Sequence, residues 1–448
     1  MKKIHKIRLR LRRYFYVLLF RYLSVFIRPE DLAVEINPGS LSISDFFNNS
    51  KKLFLDPGIN NSQEAVGLTS LEQMSAEDPD YLILNGTLHY QPDILLFMRQ
   101  LHKHCKRKTR VVILYYSSLW KPLVRAASFL GLRDKTAEQN WVDHQDIENM
   151  LSLTDFERVS SDNKVIIPFY FPILSNFINR YLAPLPFFRL FCLVNILIAR
   201  PLMKENKRNL SVSVVIPARN EAGNIENIAR RLPKMGPDDE VIFIEGHSED
   251  NTYLEIQRMY EKYDKLLNIR CLKQDGKGKA DAVRKGFEYA VKDILMVLDA
   301  DLSVAPEDLL DFYKAISEDK AEFLNGSRLI YPHVGKAMRF CNMIGNKLFA
   351  SIFSFLVGQR FKDTLCGTKV ISRENYKKIN SNRSYFGEFD PFGDFDLILG
   401  ASRLCLKIRE IPVRYYERTY GSTNIKRWKH GFILLRMVLF AGRKLKFI

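Results

Sequence analysis

The sequence predicts an α/β protein with two successive α/β domains between basic ends. Short apolar runs alternate with polar, helix-like stretches, first up to Ile166 and again from Ser211 onward. Apolar runs of this kind are typical of buried strands in a mainly parallel sheet. The pattern predicts a basic amphipathic segment at 1–31, an α/β domain at 32–166, an apolar and basic linker suited to face a membrane at 167–209, a second α/β domain at 210–428 and a basic amphipathic segment at 429–448.

The positive charge of the chain is concentrated at its ends. Lysine and arginine number 68 against 51 acidic residues, a formal net charge of +17. Nine of the basic residues lie in 1–30 and eight in 418–448, so the central part is nearly neutral. Nucleic-acid binding would require basic residues across the face of one domain. We therefore expect no nucleic-acid partner. The distribution favours an anionic membrane surface as the partner, because each basic residue near such a surface contributes about 1 kcal/mol to the binding free energy.

Three apolar segments are interrupted by arginines. They are 14–27, 165–199 and 432–442, and none provides the roughly 20 apolar residues that cross a bilayer. Their composition is typical of surface-lying segments, although buried helices with solvated charged faces would have the same composition. The N-terminus is a poor signal peptide, and the six cysteines show no paired spacing. We therefore expect a cytoplasmic protein, peripheral on the inner face of the cytoplasmic membrane.

The first α/β domain begins with a strand that runs into a glycine turn, AVEINPGS at 33–40. Asp56 follows at the end of a second strand, and DYLILNGTLHYQPDI at 80–94 continues the pattern. These motifs resemble the class I methyltransferase fold, a Rossmann-like domain that binds S-adenosylmethionine. The resemblance implies a glycine-rich loop, but only Gly39 is present and Pro38 removes a backbone donor. We expect a degenerate domain that does not use S-adenosylmethionine, with a working methyltransferase as the alternative.

The second α/β domain has polar residues directly after its strands. VVIPARNE at 214–221 and EVIFIE at 240–245 are strands with polar ends, and KQDGKGK at 273–279 is a glycine- and lysine-rich loop. The next strand, DILMVL, ends in Asp299 and Asp301. Ligands of open α/β sheets bind in the crevice at the carboxyl ends of the strands. The pattern therefore predicts a binding site at this edge.

Asp299 and Asp301 are candidate metal ligands. Two carboxylates so close at a strand end repel each other unless a cation lies between them. Hard oxygen ligands suit Mg²⁺ or Mn²⁺ bridged to a diphosphate. Taken alone, the same two residues could also be solvated acids of a loop that bind no metal. Together with the motifs that precede it, the pair predicts a nucleotide-diphosphate site.

The ordered motifs resemble the family 2 glycosyltransferases of GT-A fold, and within them the dolichol-phosphate mannose synthases and related polyprenyl-phosphate sugar transferases. The resemblance covers about residues 211–428 and continues in LNGSRL at 324–329, DTLCGTK at 363–369, GDFDLILGA at 393–401 and ERTYGSTNI at 417–425. It implies an inverting, metal-dependent enzyme. The implied donor is a nucleotide-diphosphate sugar and the implied acceptor is a lipid-linked, polyprenyl-phosphate type molecule at a membrane.

The candidate site residues form three groups. The donor group is Pro217, Arg219, Glu221, Glu245, Lys277, Lys279, Asp299, Ala300, Asp301 and Arg328. The group on the acceptor or phosphate side is Asp363, Lys369, Tyr420, Lys426, Arg427 and Trp428. The catalytic group is Asp394, Asp396 and Arg418.

The acceptor decides whether the reaction needs a base. A lipid phosphate is already anionic and needs only positioning, whereas a hydroxyl acceptor needs a carboxylate to take its proton. Asp394 or Asp396 is the candidate base, and the resemblance favours Asp396. Gly246 and His247 depart from the family pattern, which leaves sugar and base open. A polysaccharide or soluble hydroxyl acceptor is an alternative, as is a non-catalytic membrane adaptor, and the oligomeric state is open.

Overall fold

Two separate β-sheets organise the chain in the computed structural model. The first unit is Met1–Met203 with Arg443–Ile448, and the second is Lys204–Gly442. Among the described residues, no helix is both long and apolar enough to cross a bilayer. The structure describes residues 2–38, 41–55, 68–129, 140–203, 208–332, 340–385, 393–418, 420 and 427–448.

The sheet of the first unit has six strands in the order β2-β1-β3-β4-β6-β5. The first four strands are parallel, and β6 runs antiparallel to both of its neighbours. The strands are β1 Ala33–Ile36, β2 Ser50–Leu53, β3 Tyr81–Asn85, β4 Arg110–Tyr116, β5 Phe156–Lys164 and β6 Val194–Pro201.

Strand β6 lies inside the segment that the sequence predicts as a linker. Its residues pair with β4 on one side and β5 on the other, and seven of the eight are buried. A strand covered on both faces has a continuous apolar run, which resembles a membrane-facing segment in composition. The predicted linker is therefore partly a central strand.

The helices of the first unit complete its core. The second half of α1 packs inward, since Leu18, Leu19 and Leu23 are at most 2% exposed. Helix α5 begins with a reciprocal capping box between Asp143 and Asp146. The helices are α1 Lys2–Leu23, α2 Leu71–Ala76, α3 Ile94–Lys103, α4 Lys121–Phe129, α5 His144–Leu153 and α6 Leu174–Phe177, the last followed by a π-helical turn at Ile178–Leu182.

The end of the chain packs into the first unit. The Lys446 side chain is 2% exposed, and its Nζ lies 2.9 Å from Oδ2 of Asp162. Lys164 Nζ contacts the same oxygen at 3.2 Å. The sequence predicts a basic amphipathic segment here, and the structure differs in that the last lysine is buried in an ion-pair cluster.

The sheet of the second unit has seven strands in the order β13-β11-β12-β10-β7-β8-β9. The four strands from β10 to β9 are parallel, and β12 is antiparallel to both of its neighbours. The strands are β7 Val212–Ala218, β8 Asp239–Glu245, β9 Ile269–Lys273, β10 Ile294–Val297, β11 Phe323–Ser327, β12 Lys369–Ser372 and β13 Ile408–Pro412.

Amphipathic helices follow the parallel strands of the second unit. Helix α7, for example, buries Ile225 and Ile228 against the apolar core formed with β7 and β8. The helices are α7 Ala222–Arg231, α8 Thr252–Leu267, α9 Lys279–Tyr289, α10 Leu309–Ser317, α11 Phe340–Val357, α12 Arg373–Ser381, α13 Asp394–Arg403 and α14 Arg427–Leu445, whose last residues lie in the first unit.

Candidate active site

The candidate site lies where the strand order of the second sheet reverses. Strand β7 ends at Ala218, β8 at Glu245 and β10 at Val297, and all three ends lie at one edge because the strands are parallel. The chain runs outward from β7 to β9 and then returns to place β10 on the other side of β7. Such a switch point is where open α/β sheets bind ligands.

The loop after each of these strands contains a non-glycine residue in left-handed conformation. The φ angles are 56° at Asn220, 57° at His247 and 53° at Leu302. Each such residue costs about 1–3 kcal/mol and persists only where its surroundings fix it. Strain of this kind clusters at functional sites, which is consistent with a site at this edge.

Asp299 forms an ion pair with Lys279, the first residue of α9. Lys279 Nζ lies 2.5 Å from Oδ1 of Asp299. Burial opposes ionisation of Asp299, but the Lys279 ammonium, with smaller contributions from Arg328 and Lys369, holds the pKa of the carboxyl below its usual value. Burial likewise disfavours the charged lysine, and Asp299 and Asp394 raise its pKa overall. The pair therefore stays ionised at neutral pH.

Gly367 allows the loop before β12 to pass directly against this pair. A Cβ at position 367 would lie 2.0 Å from Oδ2 of Asp299 and 2.3 Å from Nζ of Lys279. Any side chain there would collide with both members of the ion pair. This glycine lies within the motif DTLCGTK at 363–369, and the sequence by itself predicts no role for it.

Asp301 is held by Arg418, which reaches it from the chain after β13. An Arg418 amino group lies 2.6 Å from Oδ2 of Asp301, and the guanidinium also lies 3.5 Å from Glu221. Oδ1 of Asp301 accepts a hydrogen bond from the Ser303 amide. Burial raises the pKa of Glu221 to about 7, despite its hydrogen bond from Asn224 and the nearby guanidinium. Two predicted donor residues and one predicted catalytic residue thus meet at one point.

Tyr420 contacts the first turn of α7 and the loop after β8. Its hydroxyl donates a hydrogen bond of 3.2 Å to Asp250. Its ring packs against Gly223, where a Cβ would lie 2.7 Å from the ring. Arg418 and Tyr420 therefore both lie at the carboxyl edge of the sheet.

The two candidate bases in α13 have different surroundings. Asp394 lies 3.3 Å from Nζ of Lys369, which is 1% exposed. Asp396 lies 3.5 Å from Arg383 and 3.8 Å from Arg284. Asp394 is also one of the carboxylates that raise the pKa of Lys279, so it belongs to the cluster around Asp299. The sequence favours Asp396 as the base, whereas in the structure it is Asp394 that belongs to the charged cluster at the strand ends.

Arg328 and Asp363 form a buried scaffold beneath the site. One bidentate contact joins them, with Arg328 donating two hydrogen bonds of 2.7 and 2.9 Å, and Asn346 donates to the same carboxylate. Burial opposes ionisation of Asp363, but Arg328 outweighs it and lowers the pKa to about 2. Asp363 is 0% exposed, so the contact with an acceptor that the sequence predicts for it does not fit. Arg328, predicted to bind the donor, uses its guanidinium to hold Asp363.

The remaining predicted residues lie at the carboxyl edge of the second sheet or outside the residues that the structure describes. Glu245 is buried and accepts a hydrogen bond from the Ser248 amide at 2.6 Å. Ala300 is buried between the two aspartates. Pro217 is half-buried, and both Arg219 and Lys277 are exposed at the same edge. Lys426 lies outside the described residues, as do the side chains of Arg427 and Trp428.

The carboxylate pair fits a divalent cation shared with a diphosphate. Such cations are commonly bound by one or two carboxylates, with phosphate oxygens and water completing the shell. Among the described residues there is no group of three or more His, Cys, Asp or Glu side chains that would hold a metal alone. Asp299 and Asp301 would therefore hold Mg²⁺ or Mn²⁺ only together with a bound ligand.

Part of the second unit matches a known protein family. Residues 213–379 match the family described as glycosyl transferase family 2. The chain is similar to the UDP-N-acetylglucosamine--dolichyl-phosphate N-acetylglucosaminyltransferase of Methanococcus voltae, with 27% identity over 225 residues, covering 47% of this chain and 87% of that protein. It is also similar to the undecaprenyl-phosphate 4-deoxy-4-formamido-L-arabinose transferase of Shewanella sediminis, with 30% identity over 247 residues, covering 53% of this chain and 67% of that protein.

Other similarities cover less of the relative or have a lower sequence identity. The chain spans 34% of the length of some curated relatives that it matches. Among solved structures, glucosyl-3-phosphoglycerate synthase from Mycobacterium tuberculosis, in complex with Mn²⁺, UDP and glucosyl-3-phosphoglycerate, aligns with 53% of this chain and 80% of that chain. The sequence identity is 17% and the TM-score is 0.39.

Proposed function

Because this chain belongs to glycosyl transferase family 2 and is a glycosyltransferase, we propose that it moves a sugar from a nucleotide-diphosphate donor to a polyprenyl-phosphate acceptor at a membrane surface. The observation that carries the proposal is the Arg418–Asp301 contact beside Asp299 at the switch point of the second sheet. The names of two relatives, which specify polyprenyl-phosphate acceptors, support the acceptor class. Family membership sets aside the non-catalytic adaptor.

In this proposal the second unit is a GT-A fold, and the donor diphosphate binds beside Asp299 and Asp301. The positive groups at these two carboxylates contact the diphosphate oxygens. A divalent cation held by Asp299 and Asp301 would supply Lewis-acid stabilisation of the departing diphosphate. Arg418 and Lys279 are the cations of this chain that already lie at these carboxylates. Arginine is suited to bidentate contact with phosphate oxygens, so Arg418 is the proposed clamp.

The acceptor oxygen is already ionised in this proposal. Asp394 is engaged with Lys369, and Asp396 lies between Arg284 and Arg383. Neither carboxylate is therefore disposed to take a proton from a hydroxyl. A phosphate oxygen needs no base, and direct attack on the anomeric carbon would invert its configuration. This arrangement favours a lipid phosphate over a sugar hydroxyl.

The first unit is proposed to be a methyltransferase-type fold that no longer binds S-adenosylmethionine. Glu35, at the carboxyl end of β1, is wholly buried and accepts hydrogen bonds from Ser42, the Ser44 amide and Asn85. Asn37 stands with φ of 48° where a glycine-rich turn would be expected. Glu35 is thus satisfied by the chain itself, whereas Asp56 and Gly39, which the sequence assigns to the cofactor motifs, lie outside the described residues.

An acceptor comparison tests the proposed reaction. Purified full-length protein is incubated with a panel of nucleotide sugars, Mn²⁺ and either a short, water-soluble prenyl phosphate or the matching prenol. We expect transfer to the phosphate alone, and its loss in Asp301→Asn. Asp311→Asn is the matched control, because Asp311 is exposed on α10 and contacts Lys314, which is not one of the predicted site residues. Equal transfer to the prenol would overturn the acceptor assignment, and full activity of Asp301→Asn would overturn the donor site.

A further inference from the structure

We propose that residues 118–129 and 169–191 of the first unit form an apolar surface that inserts into the interface of an anionic bilayer. The proposal deepens the membrane part of the proposed function by assigning it to a defined surface outside the transferase domain. It does not depend on the donor chemistry. The two segments are called the apolar surface below.

Large apolar side chains are exposed throughout both segments. Fourteen of them are more than about a third exposed, and Phe129, Ile173 and Phe187 reach 86%, 85% and 66%. Soluble proteins scatter such residues singly, whereas a contiguous exposed group marks an interaction site. Folding of the unit by itself therefore does not account for this group.

The two segments are neighbours and present one surface. The Trp120 indole donates a 3.0 Å hydrogen bond to the carbonyl of Phe191. The Ser117 amide donates at 2.8 Å to the carbonyl of Leu193. These bonds place the exposed side chains of helix α4 beside those of the 187–191 turn.

The backbone that carries the apolar surface is held in place. Asn179 is 1% exposed and its side chain bonds the backbone of Ile166 and Ile167 at 2.7–3.0 Å. Ser175 is wholly buried and bonds the backbone of Phe169 and Phe171. Such an arrangement displays the outward side chains in a fixed geometry.

Ile173 gives a second, independent observation. It has φ of 65°, which is a strained conformation for a β-branched residue. It is also 85% exposed, so its side chain gains no packing from the conformation that its hydrogen-bonded backbone imposes. Strained residues that the surrounding structure holds in place cluster at functional sites.

The charge around the apolar surface selects a bilayer as its occupant. Residues 163–203 and 110–133 contain no Asp or Glu, whereas Lys121, Arg125 and Arg180 lie among the exposed apolar side chains. Two copies would bring like charges together, which disfavours self-association through this surface. Basic residues among Phe, Tyr, Trp and Leu are the composition that binds the headgroup region of anionic membranes.

Vesicle flotation tests the proposal. Full-length protein is mixed with phosphatidylcholine vesicles that contain about 30% phosphatidylglycerol, a composition at which basic residues contribute to binding. The triple variant Ile173→Ser, Phe187→Ser, Leu190→Ser should bind at least about tenfold more weakly, because three apolar side chains leave the interface. Leu254→Ser, Tyr260→Ser, Tyr289→Ser is the matched control, with three exposed apolar residues of the second unit, and should bind as the unchanged protein does.

A charge variant keeps the test decisive if the triple variant folds poorly. Lys121→Glu, Arg125→Glu alters two exposed or half-exposed side chains and should also weaken binding, with no change in circular dichroism. Undiminished binding by either folded variant overturns the proposal, as does failure of the unchanged protein to float. A dimer that the triple variant abolishes would assign the surface to a second copy instead. Transfer to the water-soluble prenyl phosphate without vesicles reports on the proposed function alone.

Discussion

Both units place carboxylates at the carboxyl ends of parallel strands, but the partners of those carboxylates differ. In the first unit, Glu35 is wholly buried and bonded to hydroxyl, amide and backbone groups of the same neighbourhood. In the second, Asp299 and Asp301 bind the long cationic side chains of Lys279 and Arg418, which are 26% and 34% exposed.

The difference separates a closed strand end from one that a ligand can enter. Around Glu35, short hydrogen-bond donors of the chain occupy the space that a ligand would need. The side chains of Lys279 and Arg418 are long and partly exposed, so each can leave its carboxylate and bind a phosphate. A carboxylate at a switch point therefore indicates a site only when its partners are charged and reachable. Four predictions test this contrast, and they are given in order of decreasing effect.

The first prediction concerns the close approach at Gly367. Gly367→Ala places a methyl group within 2.0 Å of the Asp299 carboxylate, so the ion pair with Lys279 must shift. A displacement of about 1 Å can cost roughly 100-fold in rate, and we expect kcat/KM for sugar transfer to fall by about that factor. Gly345→Ala is the matched control, since a Cβ there meets nothing within 4 Å. Equal rates for both variants would contradict the assignment of Asp299 to the site.

The second prediction concerns the cation on Asp301. Arg418→Ala removes the contacts to Asp301 and Glu221, and we expect kcat/KM to fall by about 10- to 100-fold, the effect of losing one charge-assisted contact to phosphate. Arg418→Lys should recover part of this loss, because it keeps the charge but not the bidentate geometry. Steady-state kinetics with varied donor measures both. A defect in acceptor KM alone would place Arg418 on the acceptor instead of the donor.

The third prediction is that acid changes the stability contributions of Asp363 and Glu35 in opposite directions. The pKa of Asp363 is lowered from 3.8 to about 2, so its contribution to stability is present above pH 4 and lost as the pH falls toward 2, about 2 kcal/mol in all. Burial raises the pKa of Glu35 above 4.5, so its protonation stabilises the first unit as the pH falls through that raised value.

Hydrogen exchange resolved by unit measures these two contributions separately. Asp363→Asn should be less stable at neutral pH, because Arg328 loses its partner, and should show a weaker dependence between pH 4 and 2. In the first unit, Glu35→Gln should remove the stabilisation that protonation of Glu35 gives as the pH falls. A change of the same sign in both variants would contradict the contrast between the two carboxylates.

The fourth prediction is the absence of an effect. Titration of the full-length protein with S-adenosylmethionine should release no heat. Glu35→Gln should leave sugar transfer unchanged within about twofold, because Glu35 lies in the first unit and the candidate site in the second. Saturable binding of S-adenosylmethionine would show that the first unit has a working site and would remove the contrast from which these predictions start.

The sequence by itself determined the two α/β patterns and the position of Asp299 and Asp301. Both follow from local physics, because a buried strand must be apolar and its end is marked by the first charged residues. The motifs after β7 and β8 are equally local, and they predicted that Glu221 and Glu245 would lie at the same edge. The linker prediction failed at β6 because a strand buried on both faces has no alternation to identify it.

Only the tertiary structure decided the partners of these residues. Lys279 and Asp299 are 20 positions apart, and Arg418 is more than 100 positions from Asp301, so no local pattern could pair them. Asp394 and Asp396 are two residues apart on one helix, yet one contacts Lys369 and the other two arginines, because side chains two positions apart in a helix do not share a face. Charge pairing depends on distances in space that the packing of the sheet and its helices sets, and the sequence spacing does not contain them.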